Sequence, residues 1–337
     1  MKLRSWSLKF KLFYAAIVII LILIILFAMP RNGGNVTYGI TYSKDFAIHL
    51  SLDWKETYIA LLDDLGVRQF RIPTYWTETE SVKDSYFFDD IDWQISEAKK
   101  RNAKIILNVG QKQPRWPECH IPDWAMALGA ERRQEELLEM IKLTVDRYKN
   151  NDTISRWQVE NEPYLQFGNC PKFDEDFLDR EIALVKSIDN TRPVIISDSG
   201  ELGTWYGAGK RADILGTTLY RIVWDKYLGY VKYPISSLVY RIKAAVIMLT
   251  TDVDKIIIVE LQGEPWGPKM IIETPIEEQY RSMGVDQFKN NIEFVKKVEF
   301  SEAYLWGGEW WYWLKTKHND PRIWDEARNI FQNNSQK

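Results

Sequence analysis

Cysteine and histidine are scarce in this 337-residue chain. Only Cys119 and Cys170 occur, in no CxxC pattern, with His49, His120 and His318 at no metal-ligand spacing. A zinc site is therefore not expected. EF-hand loops, phosphate-binding glycine loops and dinucleotide fingerprints are missing too, so no metal and no cofactor is expected. Positive charge is not in excess: the net charge is −3 and the pI about 5.8, which argues against nucleic acid as a partner. Internal repeats and low-complexity segments are also lacking. What the chain has in quantity is aromatic surface, with 15 Trp and 14% aromatics overall. Many of these Trp fall in Pro- and Gly-bearing stretches rather than inside strands.

One long apolar run stands apart, 18 residues from Leu12 to Met29, preceded by Lys2, Arg4, Lys9 and Lys11. A cleavable signal peptide has an apolar core of about 7–15 residues and a small-residue cleavage site. Phe27-Ala28-Met29-Pro30 is a poor one, so the run reads as an uncleaved signal anchor just long enough to span a bilayer. Cleavage is the alternative. Four cations before the run and only Arg31 soon after place residues 1–11 in the cytoplasm and the remainder outside the membrane. Residues 30–35 form a linker, and 36–337 a single domain. An exported protein could keep a disulfide between Cys119 and Cys170, which lie in loops after consecutive strand candidates. Two buried free thiols are the other reading.

After the linker, short β-branched runs alternate with amphipathic stretches. Strands are expected at 36–42, 67–72, 103–109, 154–161, 193–197, 214–220, 255–261 and 302–307. Helical spacing marks 56–66, 91–102, 132–150, 174–189, 237–249 and 276–298, with Gly66 as a C-cap. Eight strand–helix units are the count of a (β/α)8 TIM barrel, in the α/β class. A doubly wound open sheet is the alternative, but its glycine signature is missing.

In such a barrel, chemistry sits where strands run into their following loops. Those junctions are Arg71 (then Tyr75 and Trp76), Asn108 (then Gln111, Gln113 and Trp116) and Asn161-Glu162-Pro163. Next come Asp198 and Glu201, Tyr220, Glu260 (then Gln262, Glu264 and Trp266), and Trp306 (then Glu309, Trp310 and Trp311). Glu162, in WQVENEP, and Glu260, in KIIIVELQGEPWG, close two hydrophobic strands 98 positions apart. Two carboxyl groups about 5–5.5 Å apart are what a retaining glycosidase requires. For any lone glutamate, a polar strand rim is the plainer explanation; hydrogen-bonding groups and Trp at nearly every junction argue otherwise.

From about Thr37 to Ile330, the order Arg71, Asn161-Glu162-Pro163, Tyr220, Glu260, Trp306 resembles the clan-A retaining glycoside hydrolases, a superfamily of (β/α)8 barrels. The resemblance implies Glu162 as acid/base and Glu260 as nucleophile. It further implies Arg71 and Tyr220 as supports of the nucleophile and Trp306 as the floor of the sugar subsite. The match is at clan level. Cellulase-like members often carry His-x-Tyr on the sixth strand, where this chain has Thr218-Leu219-Tyr220. Their histidine after the third strand has no counterpart, because His120 lies too deep in its loop. Gln158 to Glu162 is similar to some β-galactosidase families, which usually continue with Tyr where Pro163 stands.

The roles also follow from chemistry. A neighbouring carboxylate and apolar walls would raise the Glu162 pKa, as an acid near neutral pH needs. Arg71 and the Tyr220 hydroxyl would keep Glu260 ionised. Asn161 would bond a sugar hydroxyl, and Trp76, Trp116, Trp266, Trp306 and Trp310 are candidate platforms for the apolar faces of sugars. Each of these Trp could equally pack a loop. Glu160 could turn to the same face as Glu162, deeper in the barrel; Glu264 and Glu309 could bind substrate or a counter-ion. The expected function is hydrolysis of a β-linked oligo- or polysaccharide outside the cytoplasmic membrane, with a lipid bilayer contacted through 12–29. A non-catalytic carbohydrate-binding barrel, or a transglycosylase with the same site, is the alternative.

Overall fold

A computed structural model describes residues 8–27 and 36–334. Ten strands occur among them: β1 (Thr37–Thr41), β2 (Gln69–Pro73), β3 (Lys104–Val109), β4 (Ile154–Val159) and β5 (Val194–Asp198). The others are β6 (Ile214–Leu219), β7 (Ile222–Asp225), β8 (Gly229–Lys232), β9 (Lys255–Gln262) and β10 (Glu302–Trp306). Eight of them close a parallel barrel in the order β1-β10-β9-β6-β5-β4-β3-β2. All eight expected strands lie within a residue or two of their observed bounds. Strand alternation explains the layers. One side of each strand packs outward against the helices, as Phe70, Ile72, Trp157, Ile256 and Ile258 do. The other side fills the barrel.

That interior is stacked by chemistry. At the N-terminal end Glu302 accepts both Arg156 Nη1 (2.5 Å) and Nη2 (2.8 Å) and also meets Lys255, an ion-paired plug. Above it Ile106, Ile195, Ile214, Ile257, Val259 and Tyr304 form a dry layer. Next up is the polar layer of Arg71, Asn108, Gln158 and Glu260, all buried. A charged layer at that depth needs full hydrogen-bond pairing to be tolerated, and the site below shows that it has it.

Two departures from expectation stand out. The helix expected over 276–298 is two, Ile276–Gln279 and Val285–Val298, broken at Gly284, a poor helix former that serves as N-cap of the second. The β7–β8 hairpin was not expected. Asp225 accepts the Tyr227 and Leu228 amides at 2.8 and 3.0 Å and Gly229 takes φ +71°, so side-chain turn chemistry, not strand patterning, makes it. The expected anchor is described only in part. Leu8–Phe27 is helical, but residues 28–29 and several side chains of this segment lie outside the described residues. Among the described residues no helix is long and apolar enough to cross a membrane. The expected anchor over 12–29 therefore lies partly outside the described residues.

Candidate active site

Arg71 organises the mouth. It is fully buried on β2 and each of its nitrogens has a partner. Nε donates to Gln158 Oε1 (2.8 Å), Nη1 to Glu260 Oε1 (2.8 Å) and Nη2 to Asn161 Oδ1 (2.7 Å). With its amide oxygen turned inward, Asn108 lies 3.3 Å from Nη2 and 3.2 Å from Nε. The planar guanidinium fork therefore ties β2, β3, β4 and β9 into one rigid layer.

Glu260 is 3% exposed, and both its oxygens are engaged. Arg71 holds Oε1 as an ion pair, and the Tyr220 hydroxyl donates to Oε2 at 3.1 Å. Glu162 is placed differently. The chain leaves β4 after Val159, and Glu160 and Glu162 both take left-handed φ, +56° and +44°. Non-glycine residues seldom accept this, and such strain concentrates at working sites. Ser197 at the end of β5 steadies the turn by accepting the Glu162 amide (2.9 Å). Thr218 Oγ1, on β6 beside Glu260 in register, donates to Glu162 Oε1 at 3.3 Å. Burial, then the charges of Glu260 and Glu118, push the Glu162 carboxyl well above the ordinary range, against the weaker pull of Lys112. The two carboxyls thus share one site at the C-terminal end of the barrel but in opposite company: Glu260 among donors, Glu162 buried among other carboxyls.

Glu160 does not join them. The strand ends before it, so alternation no longer governs its direction, and it accepts the Gln111 (2.9 Å) and Lys112 (2.6 Å) amides instead. The tryptophans divide. Trp76 and Trp310 have no exposed surface, each donating from Nε1 to a buried partner, Glu80 Oε2 (2.8 Å) and Gln279 Oε1 (2.6 Å). They pack loops and are not platforms. Trp116 is exposed and leans on Phe167, which meets Trp266, which stands edge-on 5.4 Å from Tyr220. That aromatic wall leads from solvent to the carboxylates. Trp306 lies at the end of β10, with one face covered by the Arg115 guanidinium at 3.9 Å. Glu309 is wholly buried, accepts the Ser43 amide at 2.6 Å and lies 3.6 Å from Arg115, so it supports loops and does not meet substrate.

The β3 loop supplies groups that sequence reasoning passed over. Lys112, buried, donates from Nζ to the Glu162 (2.9 Å) and Leu165 (2.5 Å) carbonyls, pinning the acid's own loop. Glu118 contacts the Asn161 side chain and feels the charges of Glu260 and Arg71, and burial raises its pKa to about 8. It is a third carboxyl in the site. No spacing rule finds these residues, because a loop rather than a strand carries them; the left-handed φ of Arg115 (+92°) and Glu118 (+72°) is their structural mark.

Cys119 and Cys170 are joined, with Cα atoms 5.1 Å apart, so the disulfide rather than two free thiols is present. It staples the loop bearing Glu118 to the loop after Glu162. Closing 51 residues of chain is worth about 4 kcal/mol of unfolded-state entropy in the loop model. Cys170→Ser is expected to lower unfolding stability by about 2–4 kcal/mol in urea melts. An unchanged midpoint would show that the bridge leaves stability untouched.

An eight-stranded parallel barrel with two buried glutamates at strand ends, one held by arginine and tyrosine, defines a clan-A type of glycoside hydrolase scaffold. The sequence agrees. Residues 38–242 match the model of the cellulase family, glycosyl hydrolase family 5, and the chain belongs to that family. Mannan endo-1,4-beta-mannosidase 1 of Solanum lycopersicum is 23% identical over 194 residues, 48% of this chain and 49% of that enzyme. Among solved structures, GH5_18 from Bifidobacterium longum superposes with a TM-score of 0.59 at 13% identity, covering 81% of this chain and 70% of that one. A beta-galactosidase from the haloarchaeon Halorubrum lacusprofundi gives 0.57 at 12% identity, covering 89% and 58%. The chain spans about half the length of the tomato enzyme and under two thirds of the haloarchaeal one. At these identities the structural likeness speaks for the fold alone.

Proposed function

We propose that the protein is a retaining glycosidase that cleaves a β-linked glycan by double displacement. Glu260 is the nucleophile and Glu162 the acid/base. The observation that carries this is the contrast between the two carboxyls: Glu260 ion-paired to Arg71 and bonded by Tyr220, Glu162 pushed up by burial. Glu162 protonates the glycosidic oxygen as Glu260 attacks the anomeric carbon; the C1–O bond to the leaving sugar breaks and a glycosyl ester forms. Glu162, now a carboxylate, then takes a proton from water as that water attacks C1 and releases Glu260. Asn161, fixed by Arg71, is the donor toward a hydroxyl of the reacting sugar, and the Trp116–Phe167–Trp266 wall guides the chain in.

The site faces the outer side of the cytoplasmic membrane in this reading. The Cys119–Cys170 bridge needs an oxidising compartment, and the cations at Lys2, Arg4, Lys9 and Lys11 suit a cytoplasmic N-terminus. Retention of the full chain in carbonate-washed membranes would support single-pass anchoring; recovery in the wash would refute it. The mechanism is tested by incubating the full-length protein with 2-deoxy-2-fluoro glucosides, galactosides, mannosides and xylosides. A glycosyl adduct on Glu260, read by intact-protein and peptide mass spectrometry, is expected. An adduct on another residue would reassign the nucleophile.

A further inference from the structure

Arg115 occupies a place where a polysaccharide would otherwise run. Its guanidinium carbon lies 3.9 Å from the ring centre of Trp306 and 3.5 Å from that of Phe46, so it is the filling of an aromatic sandwich. Glu264 grips it with two bonds, Nη1 to Oε1 and Nη2 to Oε2 (2.9 Å), and Glu309 stands 3.6 Å away. The residue is 9% exposed. Its loop is equally fixed. Gln113 donates its amide to the Glu118 carbonyl (2.7 Å), Glu118 its amide to the Arg115 carbonyl (2.7 Å), and Cys119 is bridged to Cys170.

The direction of the cleft follows from the barrel. Resting on the reading of Glu162 as acid/base, the leaving group must lie on the β4 side, beside Glu162, Thr218 and Glu201. In the closed strand order β10 faces β4 and β1 faces β5 across the barrel. The sugar that stays on Glu260 therefore extends toward Trp306 of β10 and Phe46 beyond β1. There it meets Arg115. Removing that arginine from its sandwich would break a buried, bidentate ion pair and strand Glu264 and Glu309 without their cation, which a sugar stacking on indole cannot repay.

We infer that Arg115, clamped by Phe46, Trp306 and Glu264, closes the glycone end of the cleft, so that the enzyme removes one terminal sugar at a time from the non-reducing end. Arg115 is thus a specificity-determining residue. The Trp116–Phe167–Trp266 wall is left to the leaving portion of the chain, where length is unrestricted.

The test compares two probes on full-length protein: 2,4-dinitrophenyl 2-deoxy-2-fluoro β-glycosides of the monosaccharide and of its β-1,4-linked disaccharide, in the gluco, galacto and manno series. In each, the bond from C1 to dinitrophenolate breaks as the bond to Glu260 forms, and the adduct mass reports how many sugars the glycone side admits. The monosaccharide adduct is expected, with disaccharide labelling at least tenfold slower. Arg115→Ala should then raise the ratio of disaccharide to monosaccharide labelling tenfold or more. Disaccharide labelling of the parent as fast as monosaccharide labelling overturns the inference and leaves the glycosidase reading intact. So does R115A that takes the monosaccharide but gains nothing with the disaccharide. No adduct from either probe in any series counts against the glycosidase reading itself, and the inference goes with it. The parent comparison decides even where R115A does not fold.

Discussion

Glu260→Ala is expected to reduce turnover of an activated aryl β-glycoside on the order of ten-thousand-fold, about 5 kcal/mol of barrel-bound transition-state stabilisation. The size follows from what is removed. Without the carboxylate no glycosyl ester can form, and water alone must attack an anomeric carbon in a cleft built to hold the nucleophile elsewhere. The loss also strands Arg71. Its Nη1 would face only the Val259 carbonyl at 3.5 Å, so a small anion has both the space and the charge to enter. Azide or formate should therefore restore turnover of dinitrophenyl glycosides, with azide giving the α-glycosyl azide because only one displacement occurs. Product configuration by NMR checks this. Residual activity above a tenth of the parent's, or a β-configured product, would remove Glu260 from the nucleophile's role. Glu264→Ala is the control: a carboxylate already committed to Arg115 should give no azide product.

Much of this is legible in the sequence. The barrel could be read because each strand carries its own short β-branched run and each helix its own apolar stripe, local signals that survive without partners. Arg71, Asn161, Glu162, Tyr220 and Glu260 were readable for a related reason: they lie near or just past the C-terminal ends of their strands, which all open on one mouth of this fold. What was not legible rests on loops. Trp76 and Trp310 share the composition of a sugar platform, yet their indole N–H groups are spent on Glu80 and Gln279, and only three-dimensional partners reveal that. Glu160 follows the strand by one residue, and a single left-handed φ turns it to the β3 loop. Lys112, Arg115 and Glu118 converge on the site through a disulfide-stapled loop whose path no periodicity encodes. The Cys119–Cys170 pairing lay between the two, since loop adjacency was inferable but distance was not.

Glu162→Ala should separate the two halves of the reaction. Its effect on the first step depends on the leaving group: about 10²- to 10⁴-fold slower for a poor phenol that needs a proton, and little changed for dinitrophenolate that does not. The second step has lost its base whichever substrate is used, so dinitrophenyl glycosides should show a burst followed by slow turnover. Dependence on pH gives the sharper check. Glu162 must start protonated, and burial with the charges of Glu260 and Glu118 holds its pKa well above the usual carboxylate range. The parent's kcat/KM should fall as pH rises through that raised value, and the variant should lose this alkaline limb while keeping the acid one. The parent's stability should fall in the same direction. A carboxyl whose folded pKa exceeds its unfolded one stabilises fully below the unfolded value and loses that contribution as pH rises through the folded one. Glu162→Gln, which cannot ionise, should thus gain stability relative to the parent as pH increases, measured by urea midpoints across the range. An alkaline limb that persists in Glu162→Ala would hand the acid role to Glu118, a half-buried carboxyl with a raised pKa in contact with Asn161. Loss of the limb together with the stability gain would tie both to the same proton, held by burial because catalysis needs it there and at a cost the fold carries in alkaline solution.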